Sequence, residues 1–224
     1  MTPLWHPSEN CGPRRDGLLP ELVVLHYTAM SDEAEVIERL CAPEHEVSAH
    51  YVIDPTGRVT QLVREEDRAW HAGAGSWGGR EDVNSRSIGI ELVNSGITPF
   101  SAPLMEALES LLPGILARWS IAPKGVIGHS DFAPLRKIDP GRRFDWRRLA
   151  RQGLAVWPMT TSPRMSFQEA ARLFGYPDVA LGPLLDAFRQ RFRPWAMGPL
   201  DDVDVSLMND LARRFPVDPP NPTA

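Results

Sequence analysis

The chain has 224 residues and a formal net charge of −5, with 42% hydrophobic and 24% charged residues. This length allows one domain of ordinary size and a smaller second one, and the composition is typical of a soluble globular protein. The acidic balance gives no electrostatic reason to expect nucleic acid or an anionic membrane as a partner, and no apolar run approaches the ~20 residues of a membrane span.

The first twenty residues are polar and rich in proline, without the uninterrupted apolar segment of a signal peptide. We therefore expect a cytoplasmic protein, with the periplasm or cell envelope as the alternative if a leader has been removed. The chain has only two cysteines, Cys11 and Cys41, and they show no disulfide framework. We expect two free thiols, and a single disulfide is the alternative.

Apolar and β-branched runs alternate with helical patterns along the first two thirds of the chain. A turn at Asp54 to Gly57 predicts a hairpin, Ser31 is a candidate N-cap, and Pro113 should kink or divide a long helix. The mixed order of strands and helices predicts an α/β fold with a mixed central sheet flanked by helices. The predicted strands are 21–27, two runs within 47–63, 87–93 and 125–129, and the predicted helices are 31–40, 101–119 and 144–152.

The pattern changes at residues 154–165, which are rich in proline and polar residues and indicate a linker. Ser166 and Glu169 then form a capping box, which begins the first of three short helical patterns. We therefore predict two domains. The first, 1–155, is the α/β domain, and the second, 165–217, is a small three-helix domain.

Four strand-like runs contain or end in a residue that could ligate a metal or move a proton, namely His26, His50, Glu91 and His129. A lone histidine near a strand end is usually a hydrogen-bonded structural residue. Two histidines together with a carboxylate such as Asp139, however, are a common ligand set for a catalytic zinc that keeps an open position for water. The residues alone leave open which histidines bind.

Five segments carry these residues, namely LVVLHYTAM, VSAHYVIDPTGRV, WHAG, SIGIELVN and GHSDFAPLRKIDPGRRFDW. In this order and spacing they resemble the zinc-dependent N-acetylmuramoyl-L-alanine amidases of the amidase_2 family, of the AmpD/AmiD type. The resemblance covers about residues 20–150 and implies the fold of peptidoglycan recognition proteins and a bound Zn²⁺. It also implies hydrolysis of the amide bond between N-acetylmuramic acid, which we expect in its 1,6-anhydro form, and L-alanine of the stem peptide, in peptidoglycan recycling or turnover.

The resemblance assigns His26, His129 and Asp139 as zinc ligands, and Glu91 and Lys137 as catalytic residues. Glu91 would take a proton from water and deliver it to the leaving amine, while Lys137 would stabilise the oxyanion. The ligands His129 and Asp139 lie ten residues apart, in a stretch with too many turn-formers for a helix or strand, so we expect a stiffened loop to bring them together. Lys137 is one of two lysines against 22 arginines, which indicates a need for a compact charge.

For substrate binding, the resemblance implies a histidine near the metal at His50 and a cleft-lining histidine at His71. Trp70 could stack on a sugar face, with simple packing as the alternative. Asn94 follows the strand that carries Glu91, where it could hydrogen-bond the peptide stem. We predict His50, His71, Asn94 and Trp70 as substrate-binding residues.

The C-terminal segment resembles a degenerate peptidoglycan-binding domain, but its apolar pattern is also what any small helical bundle needs. It either binds peptidoglycan or only packs against the amidase domain. We expect a monomer whose partners are muropeptides or the sacculus. The alternatives are a non-catalytic peptidoglycan sensor and a metal-stabilised structural protein; the presence of Asp139 favours the enzyme, because binding-only members of this fold typically lack the third ligand.

Overall fold

The computed structural model describes residues 2–217. The strands are β1 (Leu4–Trp5), β2 (Cys11–Pro13), β3 (Leu22–Tyr27), β4 (Tyr51–Ile53), β5 (Val59–Gln61), β6 (Asp67–Ala69), β7 (Ser87–Leu92) and β8 (Val126–Gly128). The α-helices are α1 (Glu33–Cys41), α2 (Ala102–Trp119), α3 (His129–Phe132), α4 (Trp146–Arg151), α5 (Phe167–Phe174), α6 (Leu181–Phe192) and α7 (Asp202–Arg214).

Six strands form a central sheet in the spatial order β1-β5-β4-β7-β3-β8, and β2 pairs with β6 in a separate small sheet. The predicted hairpin joins β4 to β5, and Asp54 stabilises its turn by accepting hydrogen bonds from the backbone N–H groups of Thr56 and Arg58. The pairs of β7 with β3 and β4, and of β3 with β8, are parallel. The sheet is therefore mixed, and the prediction of an α/β fold with flanking helices is confirmed.

The helices follow the predicted pattern, with three differences. Helix α1 begins at Glu33 because Asp32, and not Ser31, caps it by accepting a hydrogen bond from Ala34 N. Helix α2 continues through Pro113 without being divided. The single turn α3 lies in a stretch where no helix was predicted. The three helical patterns near the C-terminus form α5, α6 and α7 as predicted.

The register of the three neighbouring parallel strands brings the polar residues to one edge of the sheet. His26 is paired with Glu91 across β3 and β7, and Leu25 is paired with Gly128 across β3 and β8. His129, which follows Gly128, therefore reaches the same level as His26. Carboxyl ends of neighbouring parallel strands are where open α/β sheets place their functional sites.

Alternation along β3 sends side chains to two apolar clusters, one on each face of the sheet. Val23 and Leu25 contribute to the cluster under α2, and Val24 contributes to the cluster on the opposite face. That second cluster also contains Phe174 and Phe188 of the C-terminal helices. Apolar packing thus continues from the sheet into the C-terminal segment, while a division at 1–155 and 165–217 stays a prediction. Within the described residues, no helix is both long and apolar enough to cross a membrane.

Candidate metal centre

Three buried side chains meet at the carboxyl edge of the sheet. His26 Nδ1 lies 2.9 Å from His129 Nδ1 and 2.9 Å from Asp139 Oδ2, and His129 Nδ1 lies 3.1 Å from the same oxygen. All three residues are less than 9% exposed. The structure therefore brings together the three residues that the sequence predicts as metal ligands.

The proton on His129 can be placed from its hydrogen bonds. Its Nε2 lies 2.9 Å from the carbonyl oxygen of Ala72, which can only accept, so Nε2 carries a proton and donates it. Burial lowers the pKa of His129 to about 4, which keeps the ring neutral at pH 7. Its Nδ1 is therefore bare and presents a lone pair to the other two donors.

The proton on His26 is fixed by a chain of hydrogen bonds. The hydroxyl of Ser87 donates to Val83 O, so it must accept from His71 Nε2, which lies 3.1 Å away. His71 Nδ1 then accepts from His26 Nε2 at 3.0 Å, so Nδ1 is the nitrogen of the neutral His26 ring that can ligate a metal. Gly89 makes room for this series of hydrogen bonds, because a Cβ at that position would lie 2.4 Å from the His71 ring.

The resulting arrangement fits a cation. Two imidazole nitrogens and a carboxylate oxygen lie within 3.1 Å of one another, and a metal ion bound among them would take the place of the hydrogen bonds between them. A His₂–carboxylate set with bonds of about 2.0–2.1 Å is a common site for Zn²⁺, and it keeps a fourth position open. The chemistry of the donors and their convergence thus fit the predicted zinc.

The loop from His129 to Asp139 doubles back onto the end of β8. Ser130 N donates to Asp139 O at 3.0 Å, which closes the loop at its base. A Cβ on Gly128 would lie 2.8 Å from Pro140 Cδ, so only glycine allows this close return. The predicted stiff loop is therefore present, but it begins with the helical turn α3, so His129 starts a helix and does not end a strand.

Glu91 and Lys137 line the same cleft as the three donors. Glu91 Oε2 is buried and has no hydrogen-bond partner among residues 2–217. Burial raises the pKa of Glu91 to about 7; the charge of Asp139 adds to this effect, while His26 and Lys137 oppose it. A carboxylate in this state can both accept and return a proton near neutral pH.

The cleft has a volume of about 370 Å³. Trp70 and His71 line it, as the sequence predicts. Arg39 of α1 and Arg136 also line it, and sequence reasoning missed both. Arg136 anchors its loop by donating from Nε to Ala74 O at 2.9 Å. Arg136 lies beside Lys137 in the segment GHSDFAPLRKIDPGRRFDW, which was a signal for it, whereas nothing in the sequence marks Arg39, because its position depends on how distant segments pack.

The structure does not bring His50 and Asn94 to the cleft. His50 is fully buried; its Nδ1 accepts from Gly89 N at 2.9 Å, and its Nε2 faces Asp67 O at 3.1 Å. Asn94 uses its side-chain oxygen to accept from Gly96 N within its own turn. Both side chains are therefore occupied by other groups of the protein, including the Arg14 side chain at His50 Nε2, and neither residue lines the cleft.

Known proteins share this fold and these segments. The AmiD amidase of Escherichia coli K12 is 37% identical over 168 residues, which are 68% of this chain and 59% of that protein. The 1,6-anhydro-N-acetylmuramyl-L-alanine amidase AmpD of Haemophilus influenzae is 46% identical over 103 residues, which are 46% of this chain and 56% of that protein. The chain thus spans less than two thirds of the length of these curated relatives.

Solved structures match over nearly the whole chain. The complex of E. coli AmiD with the substrate anhydro-N-acetylmuramic acid-L-Ala-D-gamma-Glu-L-Lys superposes with a TM-score of 0.78 at 30% identity, covering 94% of this chain and 93% of that one. AmpDh3 of Pseudomonas aeruginosa in complex with anhydromuramic pentapeptide gives a TM-score of 0.80 at 33% identity, covering 94% and 96%. The family model described as Amidase_2, N-acetylmuramoyl-L-alanine amidase, matches residues 16–142, more than half of the chain. The chain therefore belongs to the N-acetylmuramoyl-L-alanine amidase family Amidase_2.

Proposed function

We propose that this protein is a zinc-dependent amidase that hydrolyses the bond between N-acetylmuramic acid, in its 1,6-anhydro form, and L-alanine of the stem peptide. The observation that carries this proposal is the convergence of three metal-ligating side chains, His26, His129 and Asp139, in one cleft with Glu91, whose Oε2 has no hydrogen-bond partner among residues 2–217. A protein that only binds peptidoglycan has no need of a buried, unpaired carboxylate beside a metal site, so the sensor alternative fits less well.

The ligands would be His26 Nδ1, His129 Nδ1 and Asp139 Oδ2. A zinc ion held there supplies Lewis-acid activation of a water molecule and of a carbonyl group. The hydrogen bonds of the two imidazoles to His71 and to Ala72 O hold the rings in the ligating orientation.

Glu91 is the residue that we propose for proton transfer. It takes a proton from the attacking water and later gives it to the leaving amine of L-alanine, and its raised pKa suits both steps. Lys137 lines the cleft beside it, and its positive charge stabilises the oxyanion that develops on the carbonyl oxygen. Removing one such oxyanion donor typically costs about 10²–10³ in rate.

The substrate class is taken from the relatives and from the lining of the cleft. The two matched complexes contain anhydromuropeptides, which supports the same class here. Trp70 offers a flat face to a sugar ring, and Arg39 offers a cation to a carboxylate of the stem peptide. We propose soluble muropeptides as the main substrate, in keeping with the predicted cytoplasmic location and monomeric state.

The test is amide cleavage of purified anhydro-muropeptide and of intact sacculi, side by side, with zinc-loaded and chelator-treated protein. We expect zinc-dependent release of free stem peptide from the soluble substrate. Release from sacculi as well would extend the proposal to a wall-acting enzyme. Binding of either substrate without any cleavage, in the presence of zinc, would contradict the proposal and favour a sensor.

A further inference from the structure

A buried ion pair joins the C-terminal helices to the turn that carries a metal donor. Arg191 of α6 donates from one terminal nitrogen to Asp131 Oδ2 at 2.6 Å, and both side chains are 1% exposed. Asp131 lies in α3, two residues after His129. The pair therefore links a residue of the C-terminal segment to the turn that places His129, across 60 positions of sequence.

Both carboxylate oxygens of Asp131 are occupied by hydrogen bonds. Its Oδ2 also accepts from Gly128 N at 2.8 Å, and its Oδ1 accepts from the hydroxyl of Tyr176 at 2.7 Å. The other terminal nitrogen of Arg191 donates to Val126 O at 2.8 Å. Arg191 thus binds both the beginning of β8 and the turn that follows it, and Tyr176 fixes the second oxygen of the same carboxylate.

The surroundings of Arg191 argue against a purely stabilising role. Its guanidinium lies 4.4 Å from the Trp146 ring centroid and 4.8 Å from that of Phe192, so the charge sits among apolar groups. Its Nε has no hydrogen-bond partner in the described part of the chain. Replacing buried ion pairs by apolar residues is often neutral or stabilising, so stability alone does not account for a charge pair here. What the ion pair supplies is a defined orientation of the α3 turn, because each of its hydrogen bonds fixes the position of that turn.

We propose that Arg191 and Tyr176 are positioning residues for His129, and that the C-terminal helices are part of the scaffold of the metal centre. They act through Asp131, which holds the first turn of the ligand loop against β8. This inference rests on the metal site of the proposed function. It also gives the C-terminal segment a role that does not depend on binding peptidoglycan.

The chain offers a matched control on the same helix. Arg189 is 3% exposed and pairs with Asp204 at 2.5 Å, and it also donates to the carbonyl oxygens of Gly198 and Pro199. All of these partners lie in the C-terminal segment and none contacts the ligand loop. Arg191→Met and Arg189→Met therefore each remove a buried charge from α6, but only the first removes a contact with the turn of His129.

The test compares wild type with both variants by zinc affinity in chelator competition and by the absorption spectrum of the Co²⁺-substituted protein. We expect Arg191→Met to weaken zinc binding by about 10-fold, the lower end of what loss of a ligand's own partner costs, because Arg191 acts on His129 only through Asp131, and to shift the cobalt d–d bands. We expect Arg189→Met to leave both readouts at the wild-type values. Equal zinc affinity and identical cobalt spectra in the two variants would overturn the inference.

If Arg191→Met does not fold, two further variants test the inference. Tyr176→Phe removes only the hydroxyl bound to Asp131, and we expect weaker zinc binding and a shifted cobalt spectrum; wild-type values would overturn the inference. The double variant Asp131→Asn with Arg191→Met leaves no unpaired buried charge but still lacks the contact that places the turn, so we expect its zinc binding to stay weaker than that of wild type; wild-type affinity would overturn the inference. Failure of the wild type itself to bind zinc would overturn the proposed function and this inference together, whereas zinc binding with no effect of the variants would overturn the inference alone.

Discussion

Four buried histidines lie in one row in this protein. The pair at one end, which we call the ligand end, and the pair at the other end, which we call the support end, use their ring nitrogens in opposite ways. His26 and His129 each use Nε2 for a hydrogen bond outside the metal site and direct Nδ1 at each other and at Asp139. His50 and His71 have both ring nitrogens occupied, by backbone groups and by side-chain partners respectively. All four are 0–9% exposed, so burial does not distinguish a ligand from a support. What distinguishes a ligand from a support is one ring nitrogen whose nearest polar neighbours are hydrogen-bond acceptors and not donors.

The largest expected effect comes from removing the one charged donor at the ligand end. Asp139→Ala should lower zinc affinity by about 10²–10³-fold and should lose turnover with it. This loss is only a fraction of the ~10–16 kcal/mol of binding free energy that a structural zinc site provides. Zinc content after dialysis, measured by atomic absorption, checks this. Unchanged zinc content would show that the assignment of Asp139 as a ligand is wrong.

Glu91→Gln tests whether the unpartnered carboxylate beside the ligands serves chemistry and not binding. We expect kcat to fall by about 10²–10⁴-fold because the amide cannot accept a proton from water. Zinc affinity and thermal stability should stay at the wild-type level, since Glu91 Oε2 gives up no hydrogen bond among residues 2–217. Normal turnover by the zinc-loaded variant would remove Glu91 from the mechanism.

His71→Ala tests the support end directly. The change leaves the Nε2–H of His26 without its acceptor, and we expect zinc affinity to fall by about 10–100-fold. His71→Asn is the matched variant, because its side-chain oxygen can take the place of the imidazole Nδ1 and should recover part of the affinity. Chelator competition on both variants measures this; equal affinities in His71→Ala and wild type would contradict the chain of hydrogen bonds.

His50→Ala is the control for His71, since it has similar burial and a different set of partners. It removes the acceptor of Gly89 N and leaves a cavity, so we expect a loss of about 2–4 kcal/mol in the free energy of unfolding. Zinc affinity of the folded variant should stay within about twofold of wild type, because His50 does not line the cleft. A large loss of zinc affinity here would mean that the two supporting histidines act alike.

The resemblance predicted which histidines are ligands, but not how His50 and His71 are used in the fold. Strand patterns are local, so β3, β7 and β8 could be predicted from periodicity, whereas the shared edge of His26, Glu91 and His129 follows from the register of the strands. Whether a histidine is a ligand depends on what meets its second nitrogen. For His50 these groups are Gly89 N and Asp67 O, whose approach is set by packing between distant segments.

The unpredicted parts of the fold have the same origin. Strands β1, β2 and β6 have two or three residues each, which is too short for a period to be visible. The partners of Asp131 could not be predicted, because Tyr176, which follows α5, and Arg191 of α6 lie 45 and 60 positions away in the sequence. The sequence left open whether that segment only packs, and the contact with Asp131 depends on tertiary structure.

Among the variants expected to weaken zinc binding, the smallest effect comes from the far end of the chain of hydrogen bonds that supports His26. Ser87→Ala removes the acceptor of His71 Nε2–H, and reversing the His71 tautomer would set its Nδ1–H against the Nε2–H of His26. The variant must therefore leave one buried donor unpaired, and because such a loss is worth about 1 kcal/mol, we expect zinc affinity to fall by about 3–10-fold. Long-range ¹H–¹⁵N spectra of the zinc-bound protein would show both protons on Nε2 in wild type. A His71 proton on Nδ1 would reverse the chain and leave Ser87 without any influence on the metal.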